Sequence, residues 1–66
     1  MSIPIEHMDE ADRELAAAMT AVKAARALLG EHWIATSHLA EAFADLYHAR
    51  SAISRDKIAR IRLGAS

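Results

Sequence analysis

No cysteine occurs in this 66-residue chain, and this absence limits its fold more than any other feature. A chain of this length buries only about 60% of the surface that its unfolded form exposes, so its core is small. Disulfides and Cys-type zinc sites, which staple many small domains, are both excluded. The chain therefore depends on well-formed helices, self-association or a bound ligand for its stability.

Residues that interrupt regular structure are scarce, with two glycines and one proline. This composition argues against turn-rich β folds and favours one all-α domain over residues 1–66. No apolar run approaches the 18 residues of a membrane-spanning helix. The segment 1–6 lacks the basic and apolar regions of a secretory signal, so we expect a cytoplasmic location.

The first helix is predicted from about residue 8 to 29. Asp9, Glu10 and Asp12 crowd its expected first turn, where the helix dipole favours anions, and Gly30 has the position of a terminating glycine. At 100° per residue, the apolar positions fall within an arc of about 120°. This stripe consists of Met8, Ala11, Leu15, Ala18, Met19, Val22, Ala25 and Leu29.

The second helix is predicted from about residue 32 to 50 and carries two apolar stripes. The first consists of Leu39, Ala42, Phe43, Leu46 and Ile53, and the second of Trp33, Thr36, Ala40, Ala44 and Tyr47. Together they cover about 200° of the helix surface, more than one neighbouring helix covers. The pattern predicts an antiparallel helical hairpin that assembles into a helical-bundle homo-oligomer.

The tail is predicted to be a short third helix over about 54–62 or a prolongation of the second helix. Its charge contrasts with the rest of the chain. Residues 1–45 contain eight acidic and three basic residues, whereas residues 46–66 contain five basic residues and one acidic residue. Such a tail suits nucleic acid, through Arg55, Lys57, Arg60 and Arg62, or else head-to-tail self-association or helix-end charge matching.

Arg26 lies in the middle of the apolar stripe of the first helix. A guanidinium stays charged and needs a partner when it is buried. It either reaches the helix edge or pairs with Glu41 or Asp45, or else it forms an anion site with Lys23 beside it, one turn earlier.

A polar face on the second helix carries four side chains that bind metals in other proteins, within about 80° of arc. They are His38, Glu41, Asp45 and His48. The facing helix offers few further ligands, so we interpret this as a solvated face without a metal. We find no catalytic constellation or cofactor motif, and we expect a protein that is not an enzyme.

Two segments, 39–43 and 50–55, look like the halves of a DNA-binding helix-turn-helix. Six residues separate them, and none is a clear turn residue. Binding of DNA through the basic tail therefore stays as an alternative function.

With the two helices placed, the chain resembles the phage anti-CBASS cyclic-nucleotide sponges over about residues 8–49. The words that carry the resemblance are Met19-Thr20-Ala21-Val22-Lys23, Trp33-Ile34-Ala35 and Ser37-His38-Leu39-Ala40-Glu41-Ala42-Phe43-Ala44-Asp45-Leu46. The family pattern has Thr at the position of Ser37 and Gly at that of Ala42. The resemblance implies an all-helical oligomer that sequesters cyclic oligonucleotide messengers without cleaving them.

On this resemblance, Lys23 contacts a ligand phosphate, while Ser37 and His38 serve a second nucleotide pocket. The family has a base-stacking tyrosine fifteen residues before the lysine. Here that position is Met8, with His7 beside it. The predicted ligand-binding set is therefore Lys23, Arg26, His7, Met8, Ser37 and His38. A protein-interaction module, such as an antitoxin or adaptor, remains the third hypothesis, since apolar stripes also dock partner helices.

Overall fold

The chain folds into two antiparallel α-helices joined by a short turn at residues 30–32. In the computed structural model, which describes residues 3–65, α1 spans Ile5–Leu29 and α2 spans Trp33–Ala65. The described residues contain no strand, so the all-α class and the hairpin are confirmed. The hairpin is elongated, with extents of 52 × 18 × 15 Å.

Gly30 ends α1 as the sequence predicts. Its φ of 56° lies in the left-handed region, which side chains with a Cβ rarely adopt. Its backbone N–H donates to the carbonyl of Arg26 at 3.1 Å, which satisfies one of the orphaned carbonyls at the helix end. The chain then reverses within three residues and starts α2.

α1 begins three residues earlier than predicted. Pro4 precedes it with a φ of −58°, and its carbonyl accepts the N–H of Met8 at 3.1 Å. Proline suits this place because its fixed φ prepares the turn and its missing N–H has no partner to lose. The first turn therefore contains Glu6, and the prediction that Asp9 and Asp12 lie there was wrong.

α2 runs without interruption through the predicted boundary near residue 50. The separate helix expected over about 54–62 is the prolongation that the sequence also allowed. No glycine or proline occurs in α2 before Gly64, and alanine and long straight side chains favour the helix. At 1.5 Å per residue, α2 is about 50 Å long and α1 about 38 Å.

The predicted stripe of α1 and the first stripe of α2 pack against each other, but the core they form is thin. Met8, at 5% exposure, is the one residue in the described part of the chain that is buried. Most other stripe members are half-buried, and Ala11 and Leu29 are exposed. The half-buried members are Leu15, Ala18, Met19, Val22, Ala25, Leu39, Ala42, Phe43, Leu46 and Ile53.

Three of the five members of the second stripe of α2, namely Trp33, Ala44 and Tyr47, are exposed in this hairpin. Trp33 is 75% exposed and Tyr47 is 58% exposed, and Leu28 beside the turn reaches 89%. Neither helix is long and apolar enough to cross a lipid bilayer. A single copy thus leaves several of its largest apolar side chains in water.

Candidate functional site

A bidentate ion pair joins the two helices near the middle of α2. The Nε of Arg50 donates to Oδ1 of Asp12 at 2.9 Å, and its Nη2 donates to Oδ2 at 3.3 Å. Its Nη1 also contacts the sulfur of Met19 at 3.7 Å. The hydrogen bond from Arg50 lowers the pKa of Asp12 and, in turn, raises the pKa of Arg50. This pair is one of the contacts that link the two helices.

Two more cations of the tail bind α1 at the open end of the hairpin. Lys57 pairs with Asp9, and Arg60 donates to the carbonyl of Ile3 and pairs with Asp56 at 2.9 Å. Because the two helices are antiparallel, the basic tail at the end of α2 lies beside the acidic start of α1. Two cations of the tail, Arg50 and Lys57, are therefore paired with acidic residues in the first half of α1.

Two shallow grooves lie between Asp12 of α1 and residues 47–61 of α2. One has a volume of about 260 Å³, and the other about 340 Å³. Both are lined by Asp12 and Ser54. The first is lined by Asp12, Ile53, Ser54, Lys57, Ile58 and Ile61, and the second by Asp12, Tyr47, Arg50, Ser51 and Ser54.

Lys23 and Arg26 lie one turn apart in the half of α1 nearer the turn. Lys23 is exposed and Arg26 is half-buried. Within residues 3–65, neither makes an ion pair, and Arg26 does not pair with Glu41 or Asp45. Two positive charges thus stay available for an anion at this end of the hairpin.

Met8 and His7 lie at the opposite end of α1 from Lys23. Fifteen residues of helix separate Met8 from Lys23, a rise of about 22 Å along the axis. His7 is exposed, but the side chain of Met8 is packed in the small core. Within one chain these residues do not share a pocket with Lys23, and Met8 offers no open surface on which a base can stack.

Ser37 and His38 are both exposed in the first turns of α2. They lie in the same half of the hairpin as Lys23 and Arg26, because both pairs of residues flank the turn. Neither lines a groove described above. The structure therefore brings four of the six predicted residues to one end of the hairpin without forming a pocket around them.

The structure also locates the other groups of residues that the sequence singled out. Across residues 3–65, no group of three or more His, Cys, Asp or Glu side chains is arranged to hold a metal ion. The two segments that resemble a helix-turn-helix both lie on the continuous α2, so the turn that this motif requires is missing. The rings of Tyr47 and His48 meet edge to face, with their centroids 5.9 Å apart.

Sequence reasoning missed the inter-helix ion pairs. A signal was present, since Asp9 and Asp12 border the α1 stripe at a spacing of three, and Arg50 and Lys57 border the α2 stripe at a spacing of seven. Antiparallel packing brings such edges together. Without the alignment of the helices, however, each acid had several cations as equally good partners.

Comparisons with family models, with curated proteins and with solved structures give no match to this chain.

Proposed function

We propose that this chain is a non-enzymatic binding protein that works as a homo-oligomer and sequesters cyclic oligonucleotide messengers between its copies. The observation that carries the proposal is the exposed apolar surface of the single hairpin. Full burial of one large apolar side chain contributes about 1.5–3 kcal/mol. A chain with so small a core has much to gain from association.

The charge of the turn end supports an anionic ligand. Lys23 and Arg26 are cations without ion-pair partners among residues 3–65. A half-buried guanidinium gains most from a partner with two acceptor oxygens, such as a phosphate. Ser37 and His38 at the same end add hydrogen-bonding groups for a base or a sugar.

The distance between the predicted residues supports a pocket shared between copies. His7 lies about 24 Å along α1 from Lys23, too far for one nucleotide to contact both within one hairpin. A second copy laid in the opposite direction brings its own His7 towards the turn end of the first. The proposed ligand site is therefore completed by assembly. The packed Met8 has no direct role in it.

The experiment is a thermal melt of the purified chain with a panel of cyclic di- and trinucleotides and with linear nucleotides as controls. A ligand at about 100 times its dissociation constant adds about 2.7 kcal/mol to the stability. For a domain of this size, that corresponds to a rise in Tm of about 10 °C or more. We expect such a rise with one cyclic species, which is then recovered intact by chromatography. If no cyclic species raises Tm, the proposed ligand class is wrong.

The matched variants are Lys23→Glu and Arg13→Glu. Both reverse the charge of an exposed basic residue on α1 that has no ion pair among residues 3–65. Only Lys23 belongs to the proposed site. We expect Lys23→Glu to abolish binding while its helicity stays unchanged, and Arg13→Glu to bind as the parent does. Binding retained by Lys23→Glu contradicts the role proposed for that lysine.

A protein-interaction module is the second candidate, and the exposure of Leu28 and Trp33 favours it. An adaptor of this kind keeps its apolar surface free for another protein, whereas the proposed sponge covers it with copies of itself. The mass of the purified chain in solution separates the two, since a monomer at tens of micromolar favours the adaptor.

DNA binding by the basic tail has less support from the geometry. Lys57 and Arg60 are engaged with Asp9 and Asp56, which leaves Arg55 and Arg62 as tail cations without an ion pair among the described residues. A steep loss of DNA affinity with rising salt is the result that favours this alternative.

A further inference from the structure

A strip with a strict heptad spacing overlaps the second stripe of α2, with Ser37 in place of Thr36, and continues to Ile61. Its members alternate in steps of four and three residues, the pattern of a coiled-coil seam. We name it the α2 strip, and it consists of Trp33, Ser37, Ala40, Ala44, Tyr47, Ser51, Ser54, Ile58 and Ile61. α1 packs on the neighbouring face of α2, so α2 carries two seams and only one has a partner in the hairpin.

The size of the side chains varies systematically along the α2 strip. Trp33 lies at one end, and Ile58 and Ile61, which are 49% and 59% exposed, lie at the other. Alanine and serine fill most of the middle, with Tyr47 as the exception. Small residues allow two helix axes to approach closely, while large ones at the ends supply the apolar contact.

We propose that the α2 strip binds the α2 strip of a second copy of this chain, antiparallel and about a twofold axis near Tyr47, the middle of the strip. In this register Trp33 of each copy comes level with Ile61 of the other, within one turn of Ile58. The groove of about 260 Å³ that these isoleucines line lies next to this position and is proposed to receive the indole. A tryptophan filling a pocket is a common source of binding energy at interfaces.

The charges beside the α2 strip agree with the antiparallel direction. Glu41 and Arg55 each follow a strip member by one position, and they lie seven residues on either side of His48. Both are exposed, and neither has an ion pair within residues 3–65. The antiparallel register places Glu41 of each copy beside Arg55 of the other, at two symmetric sites. A parallel register would instead place Glu41 of one copy level with Glu41 of the other.

The area of the α2 strip is that of a weak contact. A strip about 42 Å long and about 10 Å wide gives about 420 Å² per copy, or about 840 Å² for the pair. Such an area suits a weak, reversible dimer. The inference identifies the surface behind the self-association in the proposed function, and it does not depend on the nucleotide.

The first test compares Ala44→Glu with Ala52→Glu by sedimentation equilibrium without any ligand. Both alanines are exposed on α2, but only Ala44 belongs to the α2 strip. We expect Ala44→Glu to weaken the dimer at least tenfold and Ala52→Glu to leave it unchanged, with equal helicity by circular dichroism. A monomeric parent chain, or an Ala44→Glu dimer as tight as the parent, overturns the proposal.

The second test uses charge reversals to determine whether the two α2 helices pair antiparallel or parallel. Glu41→Arg and Arg55→Glu, made separately, are each expected to weaken the dimer about five- to tenfold, since each affects two symmetric pairs. The double variant restores the pairs in reverse and is expected to regain the affinity of the parent. Failure of the double variant to regain it contradicts the antiparallel register. Because these measurements contain no nucleotide, they fail or succeed independently of the ligand proposed above.

Discussion

Replacing Met8 with alanine is expected to destabilise the hairpin by about 2 kcal/mol, the lower end of the range for truncating a buried methionine. The lower end applies because only two helices surround the site, and they can close part of the cavity. A chain of 66 residues has a total free energy of unfolding of about 3–10 kcal/mol. This one side chain therefore accounts for a large fraction of the stability of the hairpin.

The assay is the loss of helical circular dichroism on heating, at several protein concentrations. For this chain length, about 2 kcal/mol lowers Tm by about 8–16 °C. Leu28→Ala is the control, because Leu28 is 89% exposed in the hairpin. At the lowest concentration, where association is weakest, we expect it to melt within a few degrees of the parent.

The same variant distinguishes a core role for Met8 from a direct ligand contact. If Met8 is core, Met8→Ala lowers Tm, and nucleotide affinity measured well below Tm stays within about threefold of the parent. If a nucleotide base stacks on Met8, the nucleotide affinity of Met8→Ala falls and its Tm is unchanged. If Met8→Ala has the same Tm as the parent, the reasoning from the burial of Met8 is refuted.

Three further outcomes are expected. The bond from Arg50 lowers the pKa of Asp12, so the stabilisation by this pair is complete above the ordinary aspartate pKa and is lost as pH falls through the lowered value. The difference in Tm between the parent and Asp12→Asn should thus shrink below about pH 4, and a constant difference from pH 7 to pH 2 contradicts the pairing. Gly30→Ala should lower stability by about 1–3 kcal/mol through backbone strain, since nothing lies within 4 Å of its added Cβ. Gly64→Ala, also in open space but helical, serves as its control and should be neutral or slightly stabilising. A chain that ends at residue 53 should lose amide-exchange protection at the start of α1, because Lys57 and Arg60 no longer bind there. Unchanged protection argues against those contacts.

The periodicity of the sequence was sufficient to predict the helices and the faces that pack. Leu15, Val22, Phe43 and Leu46 are half-buried as their spacing predicts, because one face of a helix has to leave water whatever its partner is. Gly30 was equally predictable, since few residues other than glycine tolerate its φ. The candidate site was predictable only in part. Lys23 and Arg26 do lie together, whereas Met8 turned out to belong to the core.

The boundaries of the helices were harder to predict than their existence. Asp9 and Asp12 near a helix start suggested a first turn that in fact begins at Ile5. Acidic residues favour the start of a helix by only about 0.3–1 kcal/mol, so the local signal is weak. Their partners on the facing helix, Arg50 and Lys57, could be assigned only once the two helices were aligned.

The sequence by itself determined a cysteine-free, all-helical hairpin with more apolar surface than two helices cover. These properties follow from composition and from a period of 3.6 residues, which act within one helix. Only the tertiary structure decided which acid pairs with which base, that the stripe residue Met8 is closed to a ligand, and that most of the α2 strip stays exposed. Each depends on how far one helix is shifted along the other, and that shift is set by the sum of many contacts between residues distant in sequence.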